Sequence, residues 1–183
     1  MRRYLNTPLG IKKIDPAMAD YPTPEDPLTY YNKGCGENGS VFCHANAWAV
    51  IAECLLGRGE RAWEYYSQLL PMNAQAKAGE WRYKAEPYVY SSNIFGPESD
   101  KFGLANVSWL TGTAAWMYVA FTQYLLGVKP VWGGLSIEPC LPPQWESIEI
   151  TRIFRGCRYH IRVKNGEKLF IPHEEGRTHY ERN

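Results

Sequence analysis

The segment VFCHANAWAVIAECLLGRG, residues 41–59, decides how the fold is read. Ala45, Trp48, Ile51, Ala52 and Leu55 recur at spacings of three and four, the repeat of one helical face. Val50 and Leu56 widen that face, so the pattern predicts a deeply packed helix. Gly57 stands where a left-handed glycine closes a helix. After a short break, GERAWEYYSQLLP (59–71) places Ala62, Tyr66 and Leu69 on one face, and Pro71 is expected to end it. The two segments read as an αα-hairpin.

A third helix is expected in TAAWMYVAFTQYLLG, residues 113–127. It is apolar nearly all round, which predicts burial on every side. Like the first, it has an early tryptophan and a Leu-Leu-Gly close. That hints at repeated helical hairpins in a ring, although two copies do not establish a repeat.

The flanking regions differ. Residues 1–40 are turn-rich, and IDPAMADYPTPEDP (14–27) carries four prolines, which withhold donors and disfavour helix. Residues 72–108 are mixed, with GPESDKFG (96–103) as a break. After Pro130, LSIEPCLP, IEITRIFR and CRYHIRVKN alternate at period two. Ile148 and Ile150, then Tyr159, Ile161 and Val163, share a face, and Arg155-Gly156 marks the turn between the last two strands. The tail HEEGRTHYERN is polar and aperiodic, so it is assigned no structure, and its His173 and His179 read as solvated side chains rather than metal ligands.

Composition limits the function classes. The chain has 183 residues, 45% hydrophobic and 21% charged, with a formal net charge of +1, which offers no basic surface for nucleic acid or an acidic membrane. No apolar run is long enough to span a bilayer. The start lacks the apolar core of a signal peptide. Cys35, Cys43, Cys54, Cys140 and Cys157 are scattered, without the clustered spacing of a zinc site. They read as reduced, structural thiols in a cytoplasmic protein, with no metal. The aromatic content of 14% suits stacking on sugar rings and equally suits an ordinary core.

Two stretches could carry chemistry. In GENGSVFCHANAW (36–48), Glu37 could accept hydrogen bonds from sugar hydroxyls, and His44 could donate to an anion. The plainer reading has Asn38 or Ser40 capping the helix and His44 satisfied in the core. In NVSWLTGTAAW (106–116), Ser108 or Thr111 can cap the following helix. Gly112 leaves its N–H open to an anion and the threonine hydroxyls add donors. From spacing alone a plain cap is the simpler reading. Glu86, in a tyrosine-rich turn, has no marked carboxylate partner for a glycosidase pair.

Several motifs change that balance because they fall in one order: YLNTPLGI (4–11), GENGSVFCHANAWAVIAECLLGRGERAWEYY (36–66), EPYVY (86–90), WLTGTAAW (109–116), QYLLGVKP (123–130), LSIEPCLPPQW (135–145) and TRIFRGCRYHIRVKN (151–165). In this the chain resembles the inverting cellobiose and chitobiose phosphorylases, glycoside hydrolase family 94. The resemblance implies a mainly α chain: a partial (α/α)6 barrel over 1–130 and the start of a C-terminal antiparallel β domain over 131–172, to which the residues themselves add the polar tail over 173–183. It implies phosphorolysis of a β-linked disaccharide to a sugar 1-phosphate, with inorganic phosphate as co-substrate and no cofactor. His44, Thr111 and Gly112 match the family's phosphate-binding positions. Glu37 matches an acceptor-sugar position, and Tyr31 falls where acceptor contacts vary. Trp109 and Trp116 are expected to hold the loop rigid between packed helices. The family also suggests a homodimer.

The departures matter too. The family's general-acid aspartate lies in a Trp-Asn-Asp type segment that this sequence lacks, and a phosphate-binding arginine also belongs upstream. Gly36 stands where cellobiose-specific members often carry lysine. The chain therefore reads as a piece of a larger enzyme, inactive alone, whose partner would be the missing upstream part of the barrel. The rival readings are a non-catalytic carbohydrate-binding or partner protein and a pseudogene product.

Overall fold

The computed structural model describes residues 3–18 and 31–182. Helix and strand are balanced among them, at 29% and 28%. The expectation of a mainly α chain forming part of an (α/α)6 barrel is thereby corrected. Four sheets are present among the described residues. Several of their strands are only two to four residues long, too short for alternation to appear in the sequence.

In chain order the first elements are β1 (Asn6–Thr7), β2 (Gly10–Ile11), β3 (Val41–Phe42), α1 (Cys43–Leu55) and α2 (Gly59–Leu69). Next come α3 (Pro71–Ala78), α4 (Glu80–Tyr83), β4 (Ser91–Ile94), β5 (Ala105–Ser108) and α5 (Thr113–Val119). A π-helical stretch, Ala120–Leu125, continues α5. The strands β6 (Val128–Val131), β7 (Gly134–Ile137), β8 (Ser147–Phe154), β9 (Cys157–Lys164), β10 (Leu169–Pro172) and β11 (His179–Arg182) complete the order.

The chain divides into two compact units, residues 1–50 with 64–117, and 51–63 with 118–183. In the first, β1 and β2 form a hairpin and β3, β4 and β5 an antiparallel sheet. Asn46 of α1 stitches these pieces together. Its Oδ1 accepts from the Ile11 N–H at 2.7 Å, and its Nδ2 donates to the Ile11 and Phe42 carbonyls at 2.9 Å. Short strands leave backbone groups without ladder partners, and a buried amide can satisfy them.

The helices form near their expected bounds, but with different faces inward. In α1 the buried residues are Cys43, Asn46, Ala47, Val50, Glu53 and Cys54, whereas Trp48 is 53% exposed and Leu55 and Leu56 lie on the surface. The reading of a deeply packed apolar face is thus overturned. A helix packs on the face its neighbours reach, and here small residues and two polar ones meet them. The close of α1 follows expectation: the Gly57 N–H donates to Cys54 O and the Arg58 N–H to Glu53 O, a Schellman pair. In α2 the buried positions are Ala62, Tyr65 and Leu69, one residue away from the expected Tyr66. Pro71 opens α3 instead of only ending α2, since its missing N–H costs nothing in a first turn.

The third helix also departs from its reading. Met117, Ala120 and Leu125 are buried, but Trp116 and Tyr118 are exposed. Thr122 donates its hydroxyl to the Tyr118 carbonyl at 2.8 Å, a back-bond that competes with the regular ladder where the helix turns π.

The second unit holds a small sandwich. One sheet has the order β10-β7-β6 and the other β11-β9-β8. Their shared core includes Leu135, Ile137, Tyr159, Ile161, Val163 and Ile171. Burying each such side chain contributes about 1.5–3 kcal/mol, which accounts for the strict alternation of β9. Ile148 pairs with Val163 and Ile150 with Ile161, as the period-two pattern predicts. Arg155 and Gly156 both take left-handed backbone at the turn. The aperiodic tail contributes β11, parallel to β9, so this sheet is mixed. His173 bonds through Nδ1 to the buried Tyr159 hydroxyl at 2.9 Å, and the His179 ring lies tilted by 40° against His160, with centroids 5.1 Å apart. His173 is thus part-buried and tied to the core, whereas His179 stays exposed, as a solvated side chain would.

Candidate functional site

Two clusters hold the residues singled out from the sequence, both in the first unit. The first centres on His44, in the opening turn of α1. A Cβ built on Gly112 would stand 2.9 Å from His44 Cε1 and 3.2 Å from Nδ1. The position accepts no side chain without displacing the ring. The His44 Nε2 is buried and has no hydrogen-bond partner among the described residues. Trp48 and Trp116 complete the surround, with ring centroids 5.3 and 6.0 Å from the imidazole. They meet each other edge to face at 6.0 Å.

Thr111 caps α5. Its hydroxyl accepts from the Thr113 N–H at 3.2 Å and lies 2.6 Å from the Thr113 hydroxyl. The Gly112 carbonyl accepts from the Trp116 N–H at 3.2 Å. Cap and glycine together hold the loop against the imidazole, so the two sequence readings of this stretch are compatible. Ser108 makes no such cap.

Of the two tryptophans expected to hold the loop between helices, Trp116 of α5 packs on His44 and Trp48 of α1, and Trp109 does not. Trp109 is 68% exposed and donates its indole N–H to Glu86 at 3.1 Å. The Glu86 carboxyl lies below its ordinary range, first through its own backbone N–H and then through this indole. The loop here is bent sharply, with Val107 and Trp109 both at positive φ.

The second cluster surrounds Glu37 and Tyr31. Gly36 has φ +48°, and a Cβ there would enter the Tyr31 ring, 2.4 Å from its Cδ1. A lysine in place of Gly36 would have to displace that ring. Glu37 forms an ion pair with Lys13, whose ammonium also lies 4.8 Å from the Phe42 ring centroid. The expectation that Asn38 or Ser40 caps α1 fails. Asn38 is buried, accepts from the Met18 N–H at 2.6 Å, and donates to the Met18 and Tyr31 carbonyls at 2.9 Å. Ser40 donates to the Gly36 carbonyl. Both position the Tyr31–Glu37 loop rather than the helix.

The sequence reading missed Trp48 and Lys13 as neighbours of these residues. The four-residue spacing of His44 and Trp48 was the available signal, since such pairs are neighbours on a helix surface. Lys13 carried none. No group of three or more metal-ligating side chains occurs among the described residues, and no described helix is long and apolar enough to cross a membrane.

Residues 1–127 match the model of the glycosyl hydrolase 94 superfamily, catalytic domain. The chain belongs to that superfamily. Residues 130–177 match the glycosyl hydrolase family 65, C-terminal domain. Similar proteins include the N,N'-diacetylchitobiose phosphorylase of Vibrio proteolyticus, 43% identical over 169 residues, covering 91% of this chain and 20% of that protein. The solabiose phosphorylase of Paenibacillus borealis is 35% identical over 161 residues, 88% of this chain and 21% of the relative. The 3-O-beta-D-glucopyranosyl-beta-D-glucuronide phosphorylase of the same organism is 33% identical, again over 88% of this chain and 21% of the relative. The chain thus spans about a fifth of the length of these relatives.

Proposed function

We propose that this chain carries the phosphate-binding side, and part of the acceptor side, of an inverting disaccharide phosphorylase. In that reaction a phosphate oxygen attacks the anomeric carbon of a β-linked disaccharide, a sugar 1-phosphate forms, and the leaving sugar oxygen takes a proton. Phosphate is already anionic, so no general base is needed. What it needs is a clamp that offsets the cost of bringing a charge out of water, and charge-assisted hydrogen bonds supply that.

The observation that carries this reading is the buried His44 Nε2, without a hydrogen-bond partner among the described residues, beside the bare Cα of Gly112. An unsatisfied buried polar group costs about 1–3 kcal/mol, and a ligand oxygen would remove that cost. In this reading His44 donates to phosphate, Thr111 and Gly112 bound the same oxygen shell, and Glu37 with Tyr31 faces the acceptor sugar. No Trp-Asn-Asp run occurs among the 183 residues. The proton donor therefore comes from a segment outside this chain, and the chain alone releases no sugar 1-phosphate.

Titration calorimetry with inorganic phosphate tests the clamp. The full chain is expected to bind, and His44→Ala and Thr111→Ala are expected to weaken binding at least about tenfold, or ~1.4 kcal/mol each. Unchanged affinity in both variants would overturn the assignment. Release of sugar 1-phosphate by the purified chain would overturn the division of labour. The half-exposed Trp48 favours one other reading, a carbohydrate-binding module without catalysis. Glucose binding indifferent to both substitutions and to phosphate would select it.

A further inference from the structure

The second unit contains a pair of thiols that the phosphorylase reading does not use. Cys54 lies in the last turn of α1, and Cys140 follows β7. The segment carrying Cys140 is pinned in place. The Glu138 N–H donates to Gly127 O at 2.9 Å and the Cys140 N–H to Leu125 O at 3.0 Å. On the other side, a Cβ built on Gly59 would stand 2.1 Å from the Leu141 carbonyl oxygen. The turn after α1 and the segment after β7 are therefore in direct backbone contact.

That contact brings the two side chains together. Cys54 and Cys140 are both free thiols, and each is the other's main electrostatic neighbour. They line one open cavity of about 380 Å³, together with Tyr124, Lys129, Glu138 and Lys168. Cys54 is buried and Cys140 is partly accessible. The asymmetry has a chemical consequence. The hydrogen bond from Cys54 pulls the accessible Cys140 thiol below the ordinary thiol range, while the same bond and burial push Cys54 up. By contrast Cys43, fully buried, is pushed up to about 12. An accessible thiolate beside a second thiol is the arrangement that thiol–disulfide exchange needs. The Lys129 ammonium, 4.4 Å from the Tyr124 ring centroid, and the Lys168 ammonium, 3.3 Å from a Glu138 oxygen, both border the opening. Two cations against one carboxylate favour an anionic reactant there.

We propose that Cys140 and Cys54 form a thiol–disulfide exchange site that takes a small, carboxylate-bearing disulfide, with Cys140 attacking and Cys54 resolving. The Cys140 Sγ thiolate attacks one sulfur of the disulfide. A new S–S bond forms, the old one breaks, and the first thiolate leaves and takes a proton. Cys54 then loses its proton, attacks Cys140 Sγ and displaces the second thiolate. The protein dithiol is oxidised to one disulfide, and the small disulfide is reduced to two thiols.

The test uses the full chain with glutathione disulfide near neutral pH, followed by acid quenching, alkylation and peptide mapping by mass spectrometry. The unmodified sequence is expected to give a linked Cys54–Cys140 peptide. Cys54→Ser is expected to trap a mixed disulfide on Cys140, and Cys140→Ser to give neither product. Brief iodoacetamide labelling of the reduced chain provides an independent readout. Cys140 is expected to react about tenfold faster than Cys35, whose thiol burial pushes up. Equal labelling of the two, or a stable mixed disulfide on Cys140 of the unmodified chain with no linked peptide, would overturn the proposal.

Discussion

Gly112 lies directly against the imidazole of His44, so close that a Cβ on it would stand 2.9 Å from Cε1. Gly112→Ala must move the ring or the loop. The expected result is phosphate binding weakened at least about tenfold, with a stability loss of only about 1 kcal/mol, the usual cost of mild overpacking. Calorimetry with phosphate and urea denaturation of the same sample check the two halves. A large stability loss with intact affinity would mark the contact as packing alone.

Thr111 separates capping from binding. Thr111→Ala removes the acceptor for the Thr113 N–H and is expected to cost about 1 kcal/mol of stability. Thr111→Ser keeps the hydroxyl, so it should restore both stability and phosphate affinity. Thermal melts with and without phosphate distinguish the effects, since a ligand that binds only the folded chain raises the melting temperature.

Asn46→Ala should be among the most damaging single changes in the first unit. It leaves the Ile11 N–H and the Ile11 and Phe42 carbonyls without this partner. A loss of about 2–3 kcal/mol is expected, read from the urea midpoint. A loss under about 0.5 kcal/mol would mean that other groups or water satisfy this backbone.

Lys12 gives a pH dependence of known sign. Burial pulls its ammonium down, but hydrogen bonds and charge attraction from Asp15 and Glu98 outweigh this and hold it above 10.5. A folded value above the unfolded one means that the stabilisation is complete below the unfolded pKa and is lost as pH rises through the folded pKa. The urea midpoint of the unmodified chain should therefore fall through the alkaline range above pH 10.5, and that fall should be smaller in Lys12→Met. Identical profiles would remove the linkage.

Glu37→Gln tests the acceptor side. Its ion pair with Lys13 is about one-third exposed on both sides, so its removal should change stability by no more than about 1 kcal/mol. Binding of a glucose-class acceptor, followed by calorimetry, should weaken at least about tenfold if Glu37 holds its hydroxyls.

Much was legible in particular residues. The β8–β9 hairpin could be read from Ile148, Ile150, Tyr159, Ile161 and Val163, because burying one face forces a period of two. The stop at Gly57 could be read because a left-handed closing residue favours glycine. The inward faces of α1 and α5 could not. Trp48 and Trp116 look like core in a linear pattern, yet their burial depends on what lies opposite, and hydrophobic character does not oblige a side chain to be buried. The candidate site followed the same division. Ordered motifs singled out His44, Thr111, Gly112, Glu37 and Tyr31, but the Lys13 partner of Glu37 carried no local signal.

The sequence by itself determined the element types where a repeat is long enough to express its period, the closing glycine, and the superfamily. Tertiary structure alone decided that the short segments 6–11, 41–42, 91–94 and 105–108 are strands, since two to four residues carry no period and pair only when a partner edge is present. It also decided that Gly112 meets His44 and that Cys54 meets Cys140. Such meetings join residues far apart in the chain, where local propensity holds no information about distance.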